Sequence, residues 1–161
     1  MKIGIMSDSH DNIAKIVKAV EVFNTQGVEC VFHAGDIISP FTAIQFKELK
    51  SKLVVIFGNN DGEKTFLYER FKPIADIYKN FFGSIDGDKV KLAMFHEPEE
   101  IDFLRDTSGF DLIIYGHTHK VDIRKGKVMV VNPGETCGYL SGKATVAVLD
   151  TAGMKCEVIE L

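Results

Sequence analysis

Tryptophan is absent from the 161-residue sequence, and cysteine and proline are scarce, with three and four copies. The cysteines Cys30, Cys137 and Cys156 are odd in number, widely spaced and outside any C-x-x-C pair. This spacing argues against a disulfide framework and a thiolate zinc site, so we expect three reduced, mostly buried thiols. The chain also lacks a Pro/Ser-rich linker, a low-complexity tract and an internal repeat, which predicts a single domain over residues 1–161.

Long apolar runs and an excess of basic charge are also missing. No apolar stretch approaches the ~18 residues that a membrane span requires, and no basic segment precedes a cleavable apolar one at the N-terminus. We therefore expect a cytoplasmic protein without a membrane partner. The 19 basic and 23 acidic residues give a formal net charge of −4, and no Lys/Arg run exceeds two residues. This excludes a broad nucleic-acid-binding surface, so a phosphate-bearing partner must be held locally.

The order of apolar segments predicts an α/β fold in the first third of the chain. Apolar residues between Ile13 and Phe23 recur at spacings of three and four, which predicts a helix with a C-cap at Gly27. The run LVVIF is typical of a parallel strand that is covered on both faces. The predicted elements are a strand at Lys2 to Met6, a helix from about Asn12 to Gln26, a strand at Cys30 to His33, a helix from about Pro40 to Lys50 and a strand at Leu53 to Phe57.

The remainder of the chain is richer in predicted strands. Its elements are a helix near Glu63 to Phe71, a hairpin of Ile77 to Ile85 with Lys89 to Phe95, a short helix around Glu99 to Thr107, and strands at Leu112 to Tyr115, Val121 to Arg124, Lys127 to Val131, Ala144 to Leu149 and Lys155 to Ile159. We therefore expect two facing sheets with helices outside. Polar clusters follow several strand ends, where open α/β sheets place their ligands.

These polar clusters supply the candidate functional residues. They are Asp8-Ser9-His10, Gly35-Asp36, Gly58-Asn59-Asn60-Asp61, His96 and Gly116-His117-Thr118-His119. Their carboxylate, imidazole and amide groups form a mixed N/O set that suits manganese, iron, zinc, nickel or cobalt. Asp8 and His10 are two residues apart, as are His117 and His119, so on an extended backbone each pair would point to one side. A shuffled chain of this composition would contain Gly-His-x-His about 0.01 times, so that motif is fairly specific.

In this order, the clusters resemble those of the calcineurin-like metallophosphoesterases. The resemblance runs from Met1 to about Gly134, and the small size and Asn132-Pro133-Gly134 are similar to the compact bacterial and archaeal phosphodiesterases of that superfamily. It implies a four-layer α/β/β/α sandwich with two metal ions at the strand ends. It also implies a metal-dependent phosphoric ester hydrolase that acts on a small phosphodiester.

Position by position, the resemblance implies two overlapping ligand sets. One ion would be held by Asp8, His10, Asp36 and His119, and the other by Asp36, Asn59, His96 and His117. Asp36 would bridge two divalent ions; we expect manganese, and nickel, iron, zinc and cobalt suit the same donors. Two such ions can share a water, lower its pKa and stabilise the phosphoryl group while a bridging hydroxide attacks in line. Because Asn59 is uncharged, two ions, two carboxylates and a hydroxide leave a site charge of about +1.

Two positions depart from the family pattern. Many members have Gly-Asn-His-Asp, whose histidine contacts the phosphate or protonates the leaving group, but this position is Asn60 here. Asparagine cannot deliver a proton, so assistance worth about 10²- to 10⁴-fold is missing and we expect a preference for stable leaving groups, as in the phosphodiesterase branch. Asp61 loses its usual partner; with Asp36 and Asn60 it completes the predicted catalytic set. Glu97 adds negative charge at the rim, which would disfavour doubly charged monoesters more than diesters.

Other interpretations stay open. One is a protein-binding scaffold of the same fold, like the retromer subunit that resembles it, although a scaffold should have lost ligands and none is missing here. Another is a phosphomonoesterase or protein phosphatase, against which Asn60 argues. His33 is either a donor to a ligand carboxylate or a strand residue, and Asn12 is either a helix cap or a residue near the site. By analogy with the family, we expect a homodimer or homotetramer.

Overall fold

The structure is a computed structural model that describes residues 1–99, 101–107 and 109–161. The helices of this described part are α1 at Ile13–Gln26, α2 at Lys64–Phe71 and α3 at Ile101–Thr107, with a 3₁₀ helix at Pro40–Glu48. Its strands are β1 Lys2–Met6, β2 Cys30–His33, β3 Lys52–Ile56, β4 Asp76–Tyr78, β5 Phe81–Ile85, β6 Val90–Met94, β7 Leu112–Ile114, β8 Val121–Arg124, β9 Met129–Pro133, β10 Thr145–Asp150 and β11 Lys155–Glu160. The short helix predicted around Glu99 to Thr107 is α3, but Glu100 within that prediction lies outside the described residues.

Two sheets form the middle of the fold. Within the described ranges, the first sheet has the strand order β11-β10-β1-β2-β3-β4 and the second has β5-β6-β7-β9-β8. Strands β1 to β4 are parallel to one another, and β6, β7 and β9 form a parallel centre in the second sheet. Because parallel strands end at the same edge, each sheet gathers its strand-end loops on one side.

Apolar packing lies between the two sheets and on both outer faces. The central core includes Ile5 of β1 and Ile114 of β7, both completely buried. The buried face of α1, which includes Phe23, packs with α2 and the 3₁₀ helix on the outer side of the first sheet. On the outer side of the second sheet, Ile101 of α3 packs in a separate cluster. The predicted four-layer α/β/β/α sandwich is therefore confirmed.

The helix predicted from about Pro40 to Lys50 is present as a 3₁₀ helix over Pro40–Glu48. Its buried residues include Pro40, Ala43 and Phe46. These residues are three apart, which places them on one face of a helix with three residues per turn rather than 3.6.

The predicted strand Ile77 to Ile85 was wrong, because two strands occupy this stretch. β4 extends the first sheet beside β3, whereas β5 pairs with β6 in the second sheet. The exposed residues Lys79 and Asn80 connect them. The hairpin around Asp86-Gly87 is confirmed in its β5 and β6 portion, and the strand predicted at Lys127 to Val131 lies two residues later.

Among the described residues, no helix is both long enough and apolar enough to cross a bilayer. The three cysteines are free, with Cys30 and Cys137 buried and Cys156 half-buried, as predicted.

Candidate functional site

The seven predicted ligands lie in loops that follow strands of both sheets. Asp8 and His10 follow β1, Asp36 follows β2, Asn59 follows β3, His96 follows β6, and His117 and His119 follow β7. The His117 amide donates a 3.1 Å hydrogen bond to Asp8 Oδ2, which joins a loop of the second sheet to a loop of the first. The structure therefore brings all seven residues to one end of the sandwich.

Asp8, His10 and His119 form a first donor group, with one potential ligand atom from each lying within 4.8 Å of the others. His119 Nε2 is 3.5 Å from Asp8 Oδ1, and His10 Nε2 is 3.9 Å from the same oxygen. The two imidazole rings are stacked, with centroids 5.1 Å apart. This group corresponds to the first predicted ligand set without Asp36.

Asn59, His96 and His117 form a second donor group around the Asn59 amide oxygen. Asn59 Oδ1 lies 3.0 Å from His96 Nε2 and 3.0 Å from His117 Nδ1. Asp36 lies between the two groups, because its Oδ2 is 3.3 Å from His96 Nε2 and 3.6 Å from His10 Nε2. One carboxylate is thus within reach of ligand atoms from both groups.

The backbone at these residues differs from the predicted extended conformation. Asp8 and His10 have φ values of 52° and 38°, and His117 and His119 have 64° and 59°, so all four are left-handed. Their side chains consequently do not project as pairs from a strand, and His117 and His119 enter different donor groups. Non-glycine residues with positive φ are strained and concentrate at functional sites. The backbone of these loops therefore adopts strained conformations that place the four side chains at the site, at a cost to local stability.

Two glycines allow the loops to approach one another. A Cβ atom at Gly58 would lie 2.6 Å from the Asp36 backbone nitrogen, and one at Gly116 would lie 2.9 Å from Asp8 Oδ2 and overlap Ser7 Oγ. Any side chain at these positions would displace a predicted ligand carboxylate. Gly58 directly precedes the predicted ligand Asn59, and Gly116 directly precedes His117. The steric need for glycine at both positions therefore explains the Gly-Asn and Gly-His motifs.

The two carboxylates nearest the donor groups have opposite pKa shifts. Burial raises the pKa of Asp8 above its usual range, and this outweighs the hydrogen bond with Ser7 and the nearby imidazoles. Burial also opposes ionisation of Asp36, but its hydrogen bonds with His96 and Asn60 hold the pKa of Asp36 well below its usual range. Asp36 is therefore ionised at neutral pH, as a metal-bridging carboxylate must be.

The donor chemistry fits divalent cations. Asp8 Oδ1 and His10 Nε2 are buried without a hydrogen-bond partner among the described residues, and a bound cation would satisfy both atoms. His96 Nδ1 lies 2.7 Å from the Ala34 carbonyl oxygen, so this nitrogen is assigned the proton. Burial lowers the pKa of His96, but the hydrogen bond from its Nε2 to Asp36 outweighs this effect and raises the pKa. A bound cation would take the place of the Nε2 proton, which is the arrangement that metal-binding histidines commonly have.

Asp61 and Asn60, both predicted as catalytic, hold the loops around Asp36. The Asp61 carboxylate is almost completely buried and accepts hydrogen bonds from backbone amides, among them that of Asp36 at 3.1 Å and that of Gly58 at 2.8 Å. Asn60 is exposed, and its side-chain amide donates a 2.7 Å hydrogen bond to Asp36 Oδ2. These contacts support a positioning role for Asp61 and leave Asn60 at the open side of the site.

Three residues with uncertain roles in the sequence have defined contacts. His33 is completely buried and lies 2.9 Å from Ser9 Oγ through Nε2, so its hydrogen bond is with a hydroxyl rather than a ligand carboxylate. Asn12 caps α1 by accepting from the Lys15 amide. Asn132 donates to the Gly116 carbonyl oxygen, so the Asn-Pro-Gly turn supports the Gly-His-x-His loop.

Sequence reasoning missed Glu135, which is completely buried next to the site. Its Oε2 lies 2.7 Å from His119 Nδ1. The available signal was its position directly after Asn132-Pro133-Gly134, which is part of the resemblance to the family. Around the site there are now four buried carboxylates, those of Asp8, Asp36, Asp61 and Glu135. The site charge estimated from the sequence counted only the first two.

A pocket of about 520 Å³ opens beside the second donor group. Asn59 and His96 form part of its wall, and Lys64, Lys79 and Glu97 also line it. The pocket therefore connects predicted ligands with charged side chains of both signs. Glu97 lies at this opening, which agrees with its predicted position at the rim of the site.

A four-layer sandwich with imidazole, carboxylate and amide donors gathered at its strand ends defines the metallophosphoesterase fold class. Residues 1–154 match the calcineurin-like phosphoesterase superfamily domain, and the chain belongs to this family. The resemblance in the sequence is therefore confirmed.

The chain is similar to known proteins over nearly its whole length. It is 42% identical over 155 residues to phosphodiesterase MJ0936 of Methanocaldococcus jannaschii, covering 94% of this chain and 93% of that protein. The solved structure of an archaeal phosphodiesterase is 39% identical, covers 100% of both chains and has a TM-score of 0.94. A single mutant of Vps29 from Entamoeba histolytica is 18% identical, covers 100% of this chain and 99% of that one, and shares the fold with a TM-score of 0.70.

Proposed function

We propose that the protein is a metal-dependent phosphodiesterase with a dinuclear centre. The observation that carries this proposal is the position of the Asp36 carboxylate between two donor groups, beside two buried ligand atoms without hydrogen-bond partners in the described part of the chain. The 42% identical relative that is named a phosphodiesterase supports the same activity.

The two ions would be divalent, with manganese expected from the mixed N/O donors. One would be held by Asp8, His10, Asp36 and His119, and the other by Asp36, Asn59, His96 and His117. Such a pair lowers the pKa of a water molecule and offsets the negative charge of the phosphoryl group. Asp36 is shared between the two sets and is the residue on which both depend.

Residues around the ions would orient the ester and limit which ester reacts. Asn60 offers amide hydrogens to a phosphoryl oxygen but no proton to a leaving group. Asp61 holds the loop that carries Asn59 and Asn60 against the loop that carries Asp36. A site without a proton donor at position 60 favours esters whose leaving group departs without protonation.

Glu97 would favour diesters over monoesters. It lines the pocket beside Asn59 and His96, and its negative charge repels a doubly charged monoester more than a singly charged diester. In the Glu97→Gly variant we expect the ratio of kcat/KM for diester over monoester to fall. An unchanged ratio would show that Glu97 does not select the substrate.

The proposal is tested by turnover of bis(p-nitrophenyl) phosphate and p-nitrophenyl phosphate with Mn²⁺, Ni²⁺, Mg²⁺ or EDTA. We expect metal-dependent diester cleavage with little monoester cleavage. Asp36→Asn and His119→Ala should each reduce it by several orders of magnitude, whereas Asp150→Asn, an exposed residue of β10, should not. Near-normal rates in the first two variants would refute the site. Monoester preference would favour a phosphomonoesterase, and no turnover with any metal would favour a scaffold.

We further propose that the substrate is a small phosphodiester, that the protein acts in the cytoplasm, and that it forms a homodimer or homotetramer. A net charge of −4 gives no basic surface for a nucleic-acid polymer, which supports a small substrate. Light scattering coupled to size-exclusion chromatography tests the oligomeric state, and a monomeric mass would refute it.

A further inference from the structure

Glu135 lies between a predicted metal ligand and a surface loop. It follows β9 after Gly134, and its side chain is completely buried. A buried carboxylate is tolerated only where donors compensate its lost hydration. Its donors come from two different parts of the molecule, and this arrangement distinguishes it from an ordinary buried acid.

The first donor is the ring of His119. His119 Nδ1 lies 2.7 Å from Glu135 Oε2, and the ring must donate because an ionised carboxylate only accepts hydrogen bonds. In the neutral ring the proton therefore resides on Nδ1, and Nε2 carries the lone pair. Nε2 is the atom that lies 3.5 Å from Asp8 Oδ1 in the first donor group.

The other donors belong to residues 138–141, which we call the rim loop. The Leu140 amide lies 2.9 Å from Glu135 Oε1, and the Ser141 hydroxyl lies 2.6 Å from the same oxygen. The Ser141 amide also donates to Oε1. Tyr139 and Leu140 are 61% and 76% exposed, so their side chains contribute little packing to hold the loop. Glu135 is therefore a principal anchor of the rim loop.

The two oxygens of Glu135 divide between these partners. Oε2 faces mainly the His119 ring, and Oε1 faces the rim loop, whose backbone amides can only donate. One carboxylate therefore contacts both the ring and the loop.

We propose that Glu135 is a positioning residue that fixes the His119 ring for metal binding and couples that binding to order in the rim loop. The inference rests on the proposed role of His119 as a metal ligand. A carboxylate on the far nitrogen of a metal-binding histidine fixes its orientation and raises its basicity. Because one carboxylate holds both the ring and the loop, order at either place stabilises the other, and the coupling is reciprocal.

The orientation of His119 is tested with Mn²⁺ alone as the probe. We expect Glu135→Ala to weaken Mn²⁺ binding about 10- to 100-fold by calorimetry. Glu135→Gln should have a smaller effect, because its amide oxygen can still accept from His119 while its NH₂ group faces the donors of the rim loop. Glu157→Gln, an exposed residue of β11, controls for loss of a negative charge and should bind like the parent protein.

The coupling is tested with a residue that does not contact His119 through any described hydrogen bond. Ser141→Ala removes one hydroxyl donor from Glu135 Oε1, and we expect about 2- to 5-fold weaker Mn²⁺ binding. Mn²⁺ should also slow hydrogen exchange at the amides of residues 140 and 141 in the parent protein. Ser84→Ala removes a comparable hydroxyl hydrogen bond to Asp88 on the distant β5–β6 hairpin and should leave Mn²⁺ affinity unchanged.

A measurement without metal separates this inference from the proposed function. ¹⁵N NMR of the metal-free protein should show His119 protonated at Nδ1 in the parent protein and in Glu135→Gln, but redistributed between its nitrogens in Glu135→Ala. If the parent protein binds no Mn²⁺, the metal centre is refuted. If it binds Mn²⁺ but both Glu135 variants retain the parent affinity and tautomer, the role of Glu135 is refuted. Unchanged affinity in Ser141→Ala with unchanged amide exchange refutes the coupling.

Discussion

The Asp61 carboxylate connects the loops after β2 and β3, so its replacement should weaken the fold as well as the site. Oδ2 accepts from the amides of Asp36 at 3.1 Å and Gly58 at 2.8 Å, and Oδ1 accepts from those of Ile37 at 2.9 Å and Ile38 at 2.7 Å. In Asp61→Asn, one oxygen becomes an NH₂ group that faces two N–H donors. Two hydrogen bonds to a charged acceptor, each worth about 1.5–3 kcal/mol, are lost, so we expect the free energy of unfolding to fall by about 3–6 kcal/mol.

Urea unfolding in EDTA measures this loss without any contribution from bound metal. Asp106→Asn, an exposed residue of α3, serves as the matched control and should change the unfolding free energy by less than about 0.5 kcal/mol. A loss below about 1 kcal/mol in Asp61→Asn, with an unchanged dependence on urea, would refute the role of Asp61 as the connection between the loops.

Three further variants test the buried His33, the glycine beside Asp8 and the missing proton donor at position 60. Burial lowers the pKa of His33 to about 3 from 6.5, so as the pH falls the unfolded chain takes up a proton that the folded chain excludes. Its contribution to stability should fall by about 2 kcal/mol between pH 7 and pH 5 in urea melts, and an unchanged pH dependence in His33→Gln would contradict this. Gly116→Ala should displace Asp8 and weaken Mn²⁺ binding, whereas Gly126→Ala, whose Cβ has its nearest atom at 3.7 Å, should not; equal affinities would refute the steric argument. Asn60→His should raise turnover of an alkyl phosphate monoester, whose leaving group needs a proton, at least about 10-fold over the parent protein, and no gain would show that a missing proton donor does not set the substrate preference.

The predictable part of the structure is the part that short sequence patterns determine. The apolar residues of α1 and the run around β3 have their expected periods, because burial of one helix face or of both strand faces leaves a local signature. The order of the polar clusters also identified the family, which residues 1–154 match. Polar residues after strand ends supplied the candidate residues, and the resemblance to the family implied which of them would bind metal.

The unpredicted part depends on contacts between distant segments. The chain passes between sheets at Lys79 and Asn80, and no local pattern distinguishes this crossing from a continuous strand. The left-handed backbone at Asp8, His10, His117 and His119 was also not predicted, because alternation in the sequence does not encode it. Glu135 was missed because its partner His119 is 16 residues away and its other partners lie in the rim loop, whose conformation no local pattern predicts.

The dinuclear centre is tested most directly by anomalous diffraction from crystals of the protein grown with Mn²⁺. We expect two manganese peaks per chain, with the Asp36 carboxylate coordinating both, His119 Nε2 at one peak and His96 Nε2 at the other. A single peak, or peaks that Asp36 does not join, would contradict it.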